Sequence, residues 1–449
     1  MDVAMSFRTR WEKATLNARS YFYLRKLMHE TRLSAAQVKS IQLARLKCLL
    51  VNAYENHEFY RERFRQSGFD PHNFFSLEQL EQVPVLTKAE YRAFTNTVYA
   101  KDPNIYENWY KDGTSGSTGA PLKIWRTWDE RAYMVAKWMR TLYQNGYRWN
   151  DVTFSLPSPH RLQKDSIVQR MGVMKRYSVP YTAPAETMVS EYLRVQPSVL
   201  YGNKSQLVEM AIYSKRHAID LPFPRFYICA AETLDDTSRE IITKAFGPRI
   251  SEVYGAVEFN TLAWRPVGDP YFHVSHTTDV IELARDDSHS ESNGNCIVTD
   301  LFINSFPLIR YQLGDFLETE KINGLLFLRK IRGRLDDWIL FKDGTRKPFH
   351  PFYEIMERRP EVLQFRVIQE SLDLVRIILV KDPSVSPFNL ESTIVRDLKS
   401  EIRDRDIEYK IEYVDKITPE SNGKLRMLIS KVYEEATPKV EPKELQALD

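Results

Sequence analysis

Apolar side chains recur at helical spacing along residues 35–64, AAQVKSIQLARLKCLLVNAYENHEFYRERF, among many strong helix formers. Residues 1–65 as a whole read as helical, and Ser34 is placed to cap the helix that follows it. Ser76 and Thr87 are further caps in the next segment. From 107 to 330, short apolar runs alternate with helical patterns. SVLYG (198–202) is a strand leading into a helix over 205–219, and RFYICAAE (225–232) is a buried strand. A helix over 233–247 closed by Gly247 comes next, then the strand ISEVYG (250–255). That order predicts parallel pairing in a layered α/β sheet. From 271 the strands shorten to YFHVSH, VIELA, NCIVTDLF and GLLFLRK, which predicts an antiparallel, partly barrel-like part.

Residues 333–449 pattern as a smaller α+β unit. WILFKDG enters a turn at Asp343-Gly344, FYEIMERR is a short helix, and VLQFRVIQ with DLVRIILVK forms a hairpin about Glu370-Ser371-Leu372. A helix begins after Pro387, IEYKIEYVD is a last strand, and the polar tail from 434 is expected to fray.

Composition narrows the class. A chain of 449 residues exceeds one ordinary domain of about 100–200 residues. With 43% hydrophobic and 27% charged residues it is globular, and a net charge of +3 argues against a dedicated nucleic-acid or membrane-surface protein. Cys48, Cys229 and Cys296 are far apart, so neither a disulfide framework nor a zinc knuckle is expected. No apolar run approaches the roughly 18–20 residues of a membrane span. The charged N-terminus lacks the apolar centre of a signal peptide, and the expected compartment is the reducing cytoplasm.

Glycine changes the picture. The chain has only 16, about half the usual share of about 7%. Eight of them fall in short polar clusters: Gly113, Gly116, Gly119, Gly255, Gly314, Gly333, Gly344 and Gly423. Asp112-Gly113-Thr114-Ser115-Gly116-Ser117-Thr118-Gly119-Ala120-Pro121 offers hydroxyls and backbone N–H groups to a phosphate chain without obstruction, although the same composition also describes a surface linker. It is not a Walker loop, because the lysine and helix that should follow are replaced by Pro121. Tyr254-Gly255-Ala256-Val257-Glu258 ends a predicted buried strand, where α/β sheets bind ligands; an aromatic face and an acid there suit a base and Mg²⁺, or are simply an ordinary strand end with a surface glutamate. Asp315 behind Gly314 can accept from a ribose diol, or simply sit in a turn. Gly333-Arg334-Leu335-Asp336-Asp337 marks a domain boundary, as a hinge or a plain linker, and Lys424 in SNGKLR is a mobile point charge or an ordinary surface lysine.

In order and spacing these clusters resemble the adenylate-forming superfamily, and within it the phenylacetate–CoA ligase and CapK-like branch. LLVNAYENHEFYRERF, PVLTKAEYR, AAETL, NSFPLIRYQLGD and SNGKLRMLISKVY carry the likeness along nearly the whole chain. The resemblance implies an α/β fold: a large multi-subdomain N-terminal domain (1–332) and a small mobile α+β C-terminal domain (333–449) hinged at Asp336. It implies that Thr114, Ser115, Gly116, Ser117, Thr118 and Gly119 hold the ATP phosphates. The backbone of Ala231 and Glu232 would contact adenine, Tyr254 would stack on the base with Gly255 beside it, and Glu258 would bind Mg²⁺. Asp315 assisted by Arg334 would hold the ribose, and Lys424 would bridge carboxylate and α-phosphate. The implied partners are a small carboxylic acid and CoA, or another acyl acceptor such as an amine, hydroxyl or carrier-protein thiol. Phenylacetate-type relatives also suggest a homodimer. The segment DGTRKPFHPFYEIME departs from the usual spacing where the thiol tunnel forms, which leaves the acceptor open.

Overall fold

The computed structural model describes residues 7–101, 109–113, 122–158, 162, 167–284, 292–334, 338–342, 346–349, 352, 355–356, 358–359, 361–382, 386–402, 407–418 and 427–432. The chain divides into two compact units, Met1–Thr233 with Thr243–Arg332, and Leu234–Ile242 with Gly333–Asp449.

The first unit opens with helices Phe7–Ala14, Leu16–Glu30, Ala35–Asn56 and Glu58–Ser67. Ser34 starts the third as expected. Its hydroxyl accepts from the Gln37 N–H, and the Gln37 side chain accepts from the Ser34 N–H at 2.9 Å. Ser76 with Gln79 and Thr87 with Glu90 repeat the device. Leu86 then pairs with Tyr311: its N–H donates to the Arg310 carbonyl at 2.8 Å and its carbonyl accepts from the Gln312 N–H at 2.9 Å. The N-terminal helices are thereby stitched to the sheet.

Strands β1 (Tyr110–Gly113) and β2 (Lys123–Arg126) form an antiparallel hairpin on either side of 114–121. A single eleven-stranded sheet follows. Its parallel half comprises β3 (Thr153–Ser155), β4 (Arg176–Ser178), β5 (Val199–Asn203), β6 (Phe226–Ala230) and β7 (Ile250–Ala256). Its other half comprises β8 (Asn260–Arg265), β9 (Phe272–Val274), β10 (Asp279–Ala284), β11 (Asn293–Asp300), β12 (Tyr311–Ile322) and β13 (Leu325–Arg334). The order is β10-β11-β12-β13-β9-β8-β7-β6-β5-β3-β4. The short strands after 271 therefore extend the parallel sheet as an antiparallel wing instead of closing a barrel of their own. The change of direction occurs at the β7–β8 hairpin. On the parallel side the strands are near-continuous apolar runs, as strands covered on both faces must be: every residue of Phe226–Ala230 is buried.

Helix Trp128–Gln144 is capped by Thr127 and Glu130, yet it buries charge as well as apolar surface. The Glu130 carboxylate also accepts from the Asn304 and Ser305 N–H groups, both at 3.0 Å. Lys137 Nζ, fully buried, donates to both Asp279 carboxylate oxygens at 2.8 and 3.0 Å and lies 3.8 Å from Asp300. Burial pushes the Asp279 carboxyl upward; Lys137 opposes this and Asp300 reinforces it. Arg140 donates to Ser275 Oγ at 2.6 Å and lies over the Trp264 ring.

In the second unit, β16 (Val362–Gln369) and β17 (Leu374–Lys381) form the expected hairpin. β18 (Glu408–Tyr413) adds parallel to β17, and β19 (Leu428–Ser430) adds parallel to β16. Strands β14 (Trp338–Leu340) and β15 (Arg346–Pro348) form a separate pair. The helix Pro387–Ile402 starts on proline, whose missing N–H costs nothing at a first turn. Ile394, Leu398 and Ile402 of this helix share a core with Val367, Val375 and Ile377. Gln369 is fully buried and ties three strands: it exchanges hydrogen bonds with the Leu340 backbone and accepts from Ser430 Oγ. The expected helix over 352–359 lies largely outside the described residues and is helical at Phe352, Ile355 and Met356; the Asp343-Gly344 turn lies outside them.

His276, at the turn before β10, is held near pKa 4 by burial and by the charges of Arg140 and His273, against a backbone hydrogen bond to Leu326. An unfolded histidine titrates near 6.5, so between these values the unfolded chain binds the extra proton. Stability is fully present above pH 6.5 and falls as pH drops toward 4, by an amount approaching about 3 kcal/mol from this residue. Urea unfolding across this range should show a flatter decline in His276→Gln than in the parent, while His57, also held low by burial, keeps its share of the slope. Equal slopes would remove His276 from the account.

Candidate functional site

The carboxyl ends of β5, β6 and β7 lie side by side, with Asn203 opposite Ala230 and Ala230 opposite Val253. Ligands of α/β sheets bind at such ends. Two of the clusters singled out in the sequence, and the AAETL segment, lie around this edge.

At the end of β6, Ala231 adopts φ +66°, the left-handed region that a residue with a Cβ seldom enters. Glu232 follows at once, and its carboxylate accepts from both the backbone N–H and the hydroxyl of Ser205, each at 2.7 Å. Ser205 stands in the first turn of helix Lys204–Arg216. Glu232 is therefore a cap supplied from the neighbouring strand, where a negative charge is favourable. With its side chain so engaged, this segment has its backbone to offer a ligand.

At the end of β7, Tyr254 is 8% exposed and donates from Oη to Asp315 Oδ2 at 2.7 Å. Burial raises its pKa well above the ordinary phenol value, and the Asp315 and Cys296 side chains beside the hydroxyl add to this. Asp315 reaches the tyrosine through an irregularity in β12. Asn295 pairs with Phe316, but Ile297 pairs with Gln312, so Leu313, Gly314 and Asp315 bulge opposite Cys296. Gly314 at φ +87° supplies the left-handed residue this bulge needs. Arg310, at the head of the same strand, pairs with Glu282 at 3.0 Å and donates to the carbonyls of Glu81 and Val83.

Gly255 has a different reason to be glycine. A Cβ built there would lie 1.8 Å from the Asn260 carbonyl oxygen, because the β7–β8 hairpin is drawn tight at this point. Ala256 pairs with Asn260, which leaves a three-residue loop of Val257, Glu258 and Phe259, closed by Asn260 at φ +62°. Glu258 is the middle residue and 5% exposed; its Oε1 accepts from Tyr311 Oη at 3.3 Å. Arg126 Nη2 donates to the Val257 and Glu258 carbonyls at 2.8 and 2.6 Å, and Lys137 Nζ to the Phe259 carbonyl at 2.9 Å. Among the described residues no group of three or more His, Cys, Asp or Glu is arranged to hold a metal.

The structure thus joins Tyr254 to Asp315 directly. Gly255 and Glu258 lie on the same hairpin, and Ala231 and Glu232 on the adjacent strand end. Thr114, Ser115, Gly116, Ser117, Thr118, Gly119, Asp336 and Lys424 lie outside the described residues; Arg334 is described only as backbone in β13. Four participants escape sequence reasoning: Ser205, Tyr311, Arg126 and Lys137. Tyr311 lies inside the PLIRYQLGD cluster and could be suspected from its company. The two cations carry no signal, since each reaches a loop more than 120 residues away.

Glu232→Ala should lower the unfolding free energy by about 1–2 kcal/mol, the loss expected of a helix cap, and Glu232→Gln by less because an acceptor remains. Chemical denaturation measures both; an alanine variant of undiminished stability would contradict the cap.

Comparison with known proteins agrees with this architecture. The CapK C-terminal domain family matches residues 350–431. Protein CapK of Staphylococcus aureus is 24% identical over 411 aligned residues, covering 84% of this chain and 86% of the relative. Phenylacetate-coenzyme A ligase of Pseudomonas putida is 23% identical over 330, covering 69% and 73%. The crystal structure of 2-hydroxyisobutyryl-CoA ligase, in the postadenylation state with R3-HIB-AMP, superposes with a TM-score of 0.70 at 18% identity, over 90% of this chain and 92% of that one. The chain carries a CapK C-terminal domain, is a homologue of CapK and the phenylacetate-CoA ligases, and has the fold of the adenylate-forming CoA ligases.

Proposed function

We propose that this protein activates a small carboxylic acid with ATP, forming acyl-AMP and pyrophosphate, and then transfers the acyl group to the thiol of CoA. The observation that carries the reading is the cluster of Tyr254, Asp315 and Glu258 at the carboxyl edge of the sheet, in a fold whose solved relatives hold acyl-AMP. Asp315, joined to the Tyr254 hydroxyl, holds the ribose hydroxyls, with Arg334 assisting. The left-handed turn at Ala231–Glu232 presents backbone to the adenine, which Tyr254 and Gly255 border. Thr114, Ser115, Gly116, Ser117, Thr118 and Gly119 hold the phosphates.

Glu258 fits Mg²⁺ that arrives on the nucleotide. A lone buried carboxylate, held by Tyr311 and with no cage of further ligands among the described residues, suits an ion that keeps phosphate oxygens and waters as its other ligands. When bound, Mg²⁺ supplies charge neutralisation on the triphosphate. In the first half-reaction a carboxylate oxygen of the acid attacks the α-phosphorus, the bond to the β-phosphate oxygen breaks and pyrophosphate leaves. Lys424 bridges the entering carboxylate and the α-phosphate, where two negative groups must approach. In the second, the thiol sulfur attacks the acyl carbonyl carbon and AMP leaves with the electron pair. Between the two, the small C-terminal domain turns about Asp336 and withdraws Lys424.

A second reading changes the acceptor alone: because DGTRKPFHPFYEIME departs from the usual spacing of the thiol tunnel, an amine, a hydroxyl or a carrier-protein thiol replaces CoA. Pyrophosphate release from Mg-ATP with a panel of carboxylic acids, with and without CoA, amines and carrier proteins, tests both readings. Acid-dependent release is the expected result, and its absence with every acid would end the proposal. Lys424→Ala should abolish acyl-AMP formation while sparing transfer from supplied acyl-AMP; equal loss of both steps would contradict the lysine's role. Asp336→Pro should do the reverse, and undiminished transfer in that variant would show the hinge misplaced.

A further inference from the structure

The short loop bearing Glu258 is gripped through its backbone by two buried cations. Arg126, 2% exposed, donates to the carbonyls of Val257 and Glu258, and Lys137 to that of Phe259. Consecutive carbonyls on either side of one acidic side chain are thereby held, and a peptide plane cannot rotate without breaking a charge-assisted bond. The two cations differ in what stands behind them. Lys137 is itself fixed by Asp279 and belongs to helix Trp128–Gln144. Arg126 is the last residue of β2, whose other end, Lys123, pairs with Gly113 of β1. Arg126 therefore joins the foot of the hairpin that bounds residues 114–121 to the loop that carries the acid.

We propose that Arg126, backed by Lys137, is a positioning residue that fixes the Glu258 carboxylate relative to the β1–β2 hairpin, so that metal carried on a triphosphate meets the acid already in place. This rests on the reading of Glu258 and of 114–119 given under Proposed function. Arg126 touches neither nucleotide nor metal in this scheme; it acts through the loop backbone. Its loss weakens the metal-dependent part of nucleotide binding and leaves the metal-free part alone, which a merely structural role would not do.

The experiment compares Arg126→Met, of similar length but without donors, with Arg126→Lys, Arg126→Gln and Arg225→Met. The last breaks an ion pair to Asp151 at the amino end of β6, opposite the candidate site. Dissociation constants for ATP are measured with Mn²⁺, by the paramagnetic signal of the free ion, and in EDTA, by calorimetry; amide hydrogen exchange is followed across residues 255–260 without ligand. Arg126→Met should weaken Mn²⁺–ATP about tenfold, the order expected for losing hydrogen bonds from a charged group, with metal-free ATP unchanged. Exchange across 255–260 should quicken, Arg126→Lys should recover part of both effects, and Arg225→Met should shift the melting temperature alone. If Arg126→Met does not fold, Arg126→Gln carries the same comparison. An unaltered ratio of the two dissociation constants, or unaltered exchange, overturns the assignment. A parent protein that takes up no ATP under either condition ends the proposed function instead; the clamp is then upheld by faster exchange across 255–260 in the variant and overturned by unchanged exchange.

Discussion

Everything at the candidate site depends on one close approach, that of the Gly255 Cα to the Asn260 carbonyl. A sheet whose strands run parallel from β4 to β7 must reverse direction to continue into β8, and it does so in a three-residue loop. No side chain fits where Gly255 faces the returning strand. The tightness of that reversal puts Tyr254, two residues before the end of the strand, and Glu258, the middle of the loop, within five residues of one another. It also brings β12 near enough for Asp315 and Tyr311 to reach them. A longer connection could carry the same residues but would not hold them at one edge.

The second constraint is electrostatic. Lys137 and Arg140 are both buried on helix Trp128–Gln144, and burying such groups unpaired would cost several kcal/mol each. The cost is offset locally: Lys137 has three oxygen acceptors, and Arg140 has a hydroxyl and an indole face. Hydrophobic substitutes could fill the same volume. What the charges add is direction, since an ammonium or guanidinium reaches for particular carbonyls and so selects one conformation of the loops it touches.

Much of this architecture is legible in the sequence, and the limits of legibility are physical. Ser34, Ser76 and Thr87 announce their helices because a cap acts over three residues. The parallel strands announce themselves because burial on both faces leaves unbroken apolar runs such as FYICA. Gly255 and Gly314 stand out in a glycine-poor chain because a close approach and a left-handed bulge each exclude a side chain. The continuation of the strands after 271 into the same sheet is not legible, since an antiparallel wing and a small barrel have the same alternation and differ only in their edges. Glu232 belongs to a ligand-facing segment in sequence terms, yet its carboxylate is spent on Ser205. Arg126 and Lys137 are invisible for a related reason: contacts between a side chain and a distant carbonyl leave no spacing to read.

The bulge that delivers Asp315 has a consequence for how this region can change over generations. Leu313, Gly314 and Asp315 stand opposite one residue, Cys296, whereas the pairs on either side are regular. Loss of a single codon between 312 and 316 would shorten the bulge and turn the carboxylate toward the other face of the sheet, although every neighbouring strand could still pair. Amino-acid replacements along β12 can be absorbed one at a time, but the count of residues through this stretch cannot drift. Descendants of this chain that keep Asp315 in use should therefore vary in composition here and never in length.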